Sequence, residues 1–208
     1  MKKIITVIAL LATISGYAQS DKYVAAMKKN LALFDSVKGT TDYLSLAAAF
    51  ERIGDVEKTQ WLPYYYAGLA LTTAAWADDK IDKDANGEKV KALCDKAEAI
   101  QKTSEIYEIR NMAASQQMLV DPQARYMSYG AQASDAIKTG LQLNPNNPRL
   151  YYLQAMSIFG TPEQFGGGKA KAKPVFEKAE ELFKAEQVKP LYPRWGQKQN
   201  ENMIAQCQ

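Results

Sequence analysis

Residues 148–183 read PRLYYLQAMSIFGTPEQFGGGKAKAKPVFEKAEELF, and this stretch decides the predicted fold. Apolar residues recur in it at the spacing of one helical face, first before the run of glycines and again after it. The two stripes are Tyr151-Ala155-Ile158 and Ala172-Phe176-Ala179. Such a helical hairpin cannot bury its apolar face alone, so the pattern predicts stacked neighbours of the same kind.

Earlier parts of the chain repeat this hairpin in one register. Corresponding residues lie 43 and 42 positions apart on the first helix, and 43 and 39 apart on the second. The five corresponding sets are Tyr66/Ile109/Tyr151, Ala70/Ala113/Ala155, Val90/Ala133/Ala172, Cys94/Ile137/Phe176 and Ala97/Gly140/Ala179. A weaker copy upstream contains Leu46, Phe50 and Ile53. The repeats predict an all-α stack of four hairpins near residues 22–54, 61–102, 104–143 and 148–185, followed by a tail at 186–208.

At these positions the chain resembles the tetratricopeptide-repeat family. The family's Ala-x3-Phe step stands at Ala172 and Phe176, and its helix-ending proline stands at Pro145. The resemblance implies a right-handed solenoid of helical hairpins, with the tail as a cap on the last one. A looser likeness, in the segments WLPYYY and FGGGK, is to small exported bacterial proteins of this type with no assigned role.

The repeat is longer here than the family's period of about 34 residues. The extra residues are predicted in the turns at 77–87, 119–125 and 160–168. In the first of these turns, Asp78–Gly87 is predicted to be an acidic loop, with the next helix near 88–102. After the Asp121-Pro122 turn, residues 124–143 are predicted to form one helix.

The first 18 residues have the pattern of a signal peptide. Lys2 and Lys3 precede an apolar run at residues 4–14, and a small-x-small site ends at Ala18. Cleavage near Ala18 is expected to leave one domain, residues 19–208, in the periplasm or secreted. The alternative is a retained anchor, but the apolar run is short for a membrane span. Removing the two lysines lowers the formal net charge from +3 to +1. A nearly neutral chain does not show the excess of basic residues that is typical of nucleic-acid-binding proteins.

Two cysteines remain in a compartment that permits disulfides. Cys94 occupies the repeat position that Phe176 fills in the last hairpin, so a buried thiol acting as a small apolar side chain is the favoured interpretation. A Cys94–Cys207 disulfide that fixes the tail is the alternative, and the sequence does not give the geometry that decides between them.

The chain has no histidine, so it lacks the commonest general base and the usual metal ligand. The segment Asp82–Gly87 starts like a calcium loop, but Leu93 stands where a bidentate glutamate is needed. The segment Gly166–Lys169 lacks the residues of a nucleotide-binding loop and is interpreted as a tight chain reversal. We therefore predict no catalytic residues, no metal, no cofactor and no enzymatic activity.

The resemblance also implies a binding groove lined by the first helix of each hairpin. Family groove positions fall two residues before, and one, five and eight after, Tyr66, Ile109 and Tyr151. From these positions we take nine candidate partner-binding residues: Tyr64, Leu71, Tyr107, Arg110, Gln117, Arg149, Tyr152, Met156 and Phe159. Aromatic side chains and arginine carry much of the binding energy at interfaces, and arginine can grip a carboxylate with two hydrogen bonds.

Three functions are compatible with these residues. The first is an exported scaffold that binds a protein or peptide partner in the groove. The second is a small-molecule-binding accessory protein of a transport system, with an apolar or anionic ligand. The third, which no residue pattern favours, is an enzyme that cleaves cell-wall glycan.

Overall fold

The structure is a computed structural model that describes residues 20–34, 36–37 and 39–208, and the described part contains helices and their connections without any strand. The predicted signal peptide lies outside the described residues. The helices are α1 Asp21–Phe34, α2 Thr40–Glu57, α3 Leu62–Ala77, α4 Lys83–Ile100, α5 Ser104–Leu119, α6 Pro122–Arg125, α7 Ala131–Leu143, α8 Pro148–Gly160, α9 Lys169–Ala185 and α10 Gln197–Gln206. A π-helical turn at Tyr126–Gly130 joins α6 to α7, and a 3-10 turn at Glu163–Phe165 precedes α9.

The helices pair as four hairpins, α1–α2, α3–α4, α5–α7 and α8–α9, and each hairpin packs on the next. We call these hairpins 1 to 4, and their two members the first and the second helix. Ala70, Ala113 and Ala155, which correspond in the repeat, have no exposed surface, so the two helices of a hairpin approach closely there. The predicted helical-hairpin solenoid is confirmed. No helix among the described residues combines the length and apolarity that crossing a bilayer requires.

The turn of hairpin 2 is shorter than the sequence predicts. Helix α4 begins at Lys83, because the Asp82 carboxylate accepts hydrogen bonds from the backbone N–H groups of Asp84 and Ala85. This is the standard way to satisfy the free donors of a helix start. The second half of the acidic segment predicted to be a loop is therefore the start of α4, and Gly87 lies inside the helix against the Gln117 side chain.

The chain reversal predicted at the glycines of hairpin 4 is present. Gly166 and Gly168 have φ angles of 90° and 95°, which side chains with a Cβ rarely adopt. Helix α9 then begins directly at Lys169.

The apolar core has two separate parts. The larger part joins hairpins 1 to 3, and in it the rings of Phe50 and Tyr66 stack 5.2 Å apart. The smaller part, around Ala155, Ala172 and Phe176, joins hairpin 4 to α10. Hairpin 4 meets hairpin 3 at the first turn of α8, where Leu150 packs on Gly140 and on Tyr107.

Both cysteines are free. Cys94 is buried in the larger core, as the favoured interpretation expected, and burial raises the pKa of its thiol to about 12. The Cys94 side chain therefore behaves as a small apolar group.

The tail has two parts with different positions. Helix α10 packs on α9 and caps the end of the stack. The segment before it, residues 186–196, which we call the strap, instead runs back across the first helices of hairpins 2 and 4.

Candidate functional site

The strap is held on α3 by aromatic residues near the start of that helix. The Tyr66 hydroxyl donates to the Leu191 carbonyl over 2.8 Å, and the Trp195 indole N–H donates to the Tyr65 hydroxyl over 2.8 Å. The ring of Tyr192 lies edge-on to Trp61 at 5.6 Å. Aromatic residues with one polar atom suit such a contact, because they bury apolar area while their polar atom keeps a partner.

Arg149, at the start of α8, holds the strap from the other side. Its guanidinium donates to both carboxylate oxygens of Glu186, over 2.7 and 3.1 Å, and to the Pro193 carbonyl over 2.6 Å. It also lies 5.9 Å from the ring centre of Trp195. Only 3% of the Arg149 side chain is exposed. A charge buried to this extent needs its partners, so Arg149 depends on the strap as much as the strap depends on it.

Beneath the strap lies a buried carboxyl group. Glu108 on α5 accepts hydrogen bonds from the Tyr65 hydroxyl and from the Asn147 amide, each over 2.8 Å. Burial raises the pKa of the Glu108 carboxyl to about 8, and the Arg149 charge and these hydrogen bonds offset only part of the rise. Burial, followed by the Glu108 charge, likewise raises the pKa of Tyr65 well above its ordinary value. The protonation state of Glu108 is therefore linked to the strap through Tyr65, whose hydroxyl donates to Glu108 and accepts from Trp195.

A second surface lies at the turn of hairpin 3 and is apolar. Leu119 and Val120 are each 50% exposed, Tyr126 is 62% exposed and Met127 is 83% exposed. We call these four residues the turn cluster. Trp76, also half-exposed, lies near the end of α3, one helical turn after Thr72. The Thr72 carbonyl accepts a hydrogen bond from Gln116 of α5. Single exposed apolar side chains are ordinary, whereas a run of them marks a contact surface.

The π-helical turn places the two most exposed members of this cluster. The sequence predicts one regular helix over residues 124–143, but the structure has α6, the π-helical turn and α7 in that range. Gly130 closes the turn, and a Cβ built there would lie 3.1 Å from the Met118 sulfur and 3.2 Å from the Tyr126 ring. The Met118 and Tyr126 side chains therefore both lie against Gly130, which has no side chain of its own. Such single π-helical turns are frequent at functional sites.

The cations next to the turn cluster already have partners. Arg125 forms two hydrogen bonds to the Asp84 carboxylate, over 2.6 and 3.0 Å, and Lys91 pairs with Glu88 over 3.0 Å. Both cations lie over the ring of Tyr129, at 5.6 and 5.0 Å from its centre. This edge of the cluster is therefore locally neutral.

Four of the predicted groove residues point toward the second helices. Tyr64 donates to Asp55 of α2 over 2.9 Å, and Tyr107 donates to Glu98 of α4 over 2.6 Å. The other two also pair with α4: Arg110 with Asp95 and Glu98, and Gln117 with Glu88. Tyr107 and Arg110 line a shallow cavity of about 340 Å³ between α4, α5 and α7. The strap contacts the opposite side of these first helices, through Tyr65 on α3.

The remaining predicted residues are dispersed. Leu71 is buried in the core, and Arg149 lies under the strap. Tyr152 and Phe159 pack their rings on Phe176 of α9, while Met156 is 37% exposed. The structure therefore brings Tyr107 and Arg110 together, but it does not join all nine residues into one surface. Their role in binding stays a prediction.

Of the residues that define the two surfaces described above, the predicted groove set contained only Arg149. Glu108 is one of many acidic residues on the helices, and only its burial distinguishes it. Tyr126 and Met127 lie in a stretch predicted to be ordinary helix. Tyr126 lies seven positions before Ala133, in line with the apolar stripe, so the pattern contained no signal for its exposure.

Comparison with known proteins shows a likeness among solved structures. No protein-family model matches the chain, and no curated protein sequence matches it either. Among solved structures, it is similar to the HusA haemophore from Porphyromonas gingivalis, with a TM-score of 0.82 and 38% sequence identity. The match covers 91% of this chain and 94% of that one.

Proposed function

This chain belongs to the family of the HusA haemophore, since the two are 38% identical over nearly their whole lengths, and we propose from this kinship that it binds haem or a closely related tetrapyrrole. The kinship is the single observation that carries the proposal. The protein would act as a carrier of a small molecule and not as an enzyme.

The prediction of a scaffold for a protein or peptide partner is wrong. It followed from the general use of helical-repeat grooves, whereas the related protein of known structure is a haemophore, which binds a small molecule. That finding supports the second function predicted from the sequence, a small-molecule-binding protein of a transport system. The predicted signal peptide agrees with such a role, because a carrier that collects its ligand outside the cytoplasm has to be exported.

The chemistry of haem agrees with the side chains available. Haem is a flat apolar ring with a central iron and two carboxylates on one edge. With no histidine in the chain, the residue types that could approach the iron are tyrosine, methionine and cysteine, all of which serve as axial ligands in other haem proteins. Cys94 is buried and Cys207 is partly exposed. Exposed aromatic and methionine side chains also suit the faces of the ring. The turn cluster carries both residue types.

Titration of the purified protein with haemin tests this proposal. We expect a saturable change in the haem absorption spectrum with a Kd of about 1 μM or lower, and quenching of tryptophan fluorescence over the same range. The same protein unfolded in guanidinium chloride is the control, because it retains the amino-acid composition but loses the folded binding surface. A native protein that changes the haem spectrum no more than the unfolded one would contradict haem binding.

A further inference from the structure

We propose that the turn cluster of hairpin 3, Leu119, Val120, Tyr126 and Met127, is the surface that takes the face of the tetrapyrrole ring. This inference rests on the proposed function and assigns that function a place. The ligand would lie flat against the cluster, with its carboxylate edge toward solvent.

The exposure of the cluster is the first argument. Four of the large apolar side chains that are exposed in the described part of the chain fall within residues 119–127. Each apolar side chain left in water forgoes the free energy of its burial, so a concentration of them indicates a surface that is covered when a ligand is present.

The local backbone is the second argument. The π-helical turn interrupts the regular helix where Tyr126 and Met127 occur, and Gly130 leaves room for Met118 and the Tyr126 ring beside each other. The Met118 sulfur and the Tyr126 ring therefore both lie against Gly130. Thioether and aromatic groups are side chains that suit a large polarizable ring.

The division of the core is the third argument. After its first turn, α8 packs on α9 and α10 and no longer follows hairpin 3. Leu153, Gln154 and Ser157 lie three, four and seven positions after Leu150, on the same side of the helix. Leu150 is buried, yet the first two are only partly buried and Ser157 is exposed. Hairpin 4 therefore does not cover the turn of hairpin 3 as it covers the base of that hairpin, and the cluster stays accessible.

The charges decide the orientation of the ligand. Arg125 directly precedes the π-helical turn and Lys91 lies over the Tyr129 ring, and both cations are paired, with Asp84 and Glu88. A ligand carboxylate would have to displace an existing partner to bind either cation. Recognition therefore rests on apolar contact with the ring face, and we expect the Kd for haem to change less than about threefold between 0.05 and 0.5 M NaCl.

The test compares two double variants with the unaltered protein in haemin titrations. Tyr126→Ser with Met127→Ser removes the most exposed part of the cluster, and we expect the Kd to rise at least about tenfold. Leu44→Ser with Val56→Ser is the matched control, because it changes two exposed apolar residues on hairpin 1. We expect its Kd to stay within about twofold of the unaltered value. Circular dichroism and thermal unfolding confirm that each variant is folded.

The single variant Tyr126→Phe separates the contribution of the Tyr126 ring to haem binding from that of its hydroxyl. We expect it to bind haem as the unaltered protein does, because the aromatic face is retained. If Tyr126→Phe loses binding as fully as the double variant, the hydroxyl carries recognition and the ring-face assignment is overturned.

The remaining outcomes separate the location from the function. If the unaltered protein binds haem and the cluster variant binds it equally well, the assignment to hairpin 3 is wrong while the proposed function stands. If the unaltered protein does not bind haem, the proposed function itself fails. Sedimentation velocity supplies one more outcome: a cluster variant that loses self-association but keeps its haem affinity would make the cluster a contact between two copies of this chain.

Discussion

At the scale of single residues, Glu108 links the stability of the fold to pH. Its pKa is raised from an ordinary value of 4.5 to about 8, so between these values the folded chain holds a proton that the unfolded chain releases. The free energy of unfolding therefore falls as the pH rises through this window, and the contribution of the Glu108 proton is lost above pH 8. The chain has no histidine, and the Cys94 thiol does not titrate in this range, so the window contains few competing groups.

We accordingly expect the urea midpoint of unfolding to decrease from pH 6 to pH 9. The variant Glu108→Gln keeps an acceptor for Tyr65 and carries no titratable proton, so its midpoint should vary less over the same range. The difference between the two pH profiles is the quantity to measure. Parallel profiles would show that Glu108 does not titrate in this window.

The angular position of single residues around a helix explains why the groove residues could not be placed from the sequence. The repeat stripe identifies which residues face the partner helix of the hairpin, and Ala70, Ala113 and Ala155 are buried as that stripe requires. A neighbouring position lies about 100° further around the helix, and a small error in the carried-over register moves it to another face. Tyr64 thus meets Asp55 of α2, while Tyr65 beside it meets Glu108 and Trp195.

At the scale of elements, the strap is the feature that a local sequence pattern could not predict. The repeat pattern predicts contacts between successive hairpins. The strap instead contacts residues of α3 that lie 125 to 130 positions earlier in the sequence. The sequence indicated only that prolines interrupt this stretch. The π-helical turn was missed for a similar reason, since residues 122–143 begin with a good cap and contain a regular stripe.

Replacing Trp195 should release the strap. The variant Trp195→Ala removes the hydrogen bond to Tyr65 and the ring contacts with Tyr152 and Arg149. The bond after the exposed Arg194 should then be cut by trypsin about tenfold faster under native conditions, because the docked conformation is less populated. Trp76→Ala is the control, since Trp76 is half-exposed and lies outside the strap contacts. Equal cleavage of Trp195→Ala and the unaltered protein would mean that the other contacts, through Tyr66, Trp61 and Arg149, hold the strap without Trp195.

At the scale of the whole molecule, the two cores should differ in local stability. Hairpins 1 to 3 share the larger core, and nearly all of α3 is buried in it, whereas α9 and α10 belong to the smaller one. Repeat proteins open in units that follow their nearest-neighbour contacts. Hydrogen exchange should therefore show weaker protection for amides in α9 and α10 than for those in α3. Equal protection in the two regions would show that Arg149 and the strap couple them into one cooperative unit.

The stack of hairpins was predictable because the spacing of small and aromatic residues follows the repeat. The ligand was not, because grooves of this architecture are used for peptides and for small molecules alike, and the distinction depends on exposed side chains that the repeat does not specify. The residues that we propose to contact it, Tyr126 and Met127, lie in a π-helical turn that the sequence pattern did not predict.

The strap also determines the order in which the molecule can be completed. Each hairpin can form as soon as its own residues leave the ribosome, because its contacts are close in sequence. Tyr65, Tyr66 and Arg149 wait for Glu186, Leu191, Pro193 and Trp195, which are synthesised after all four hairpins. Until then Arg149 has no counter-charge from the strap, and the start of α3 is uncovered. Docking of the strap is therefore a separate folding step, the closing of a long loop, which follows the formation of the hairpins.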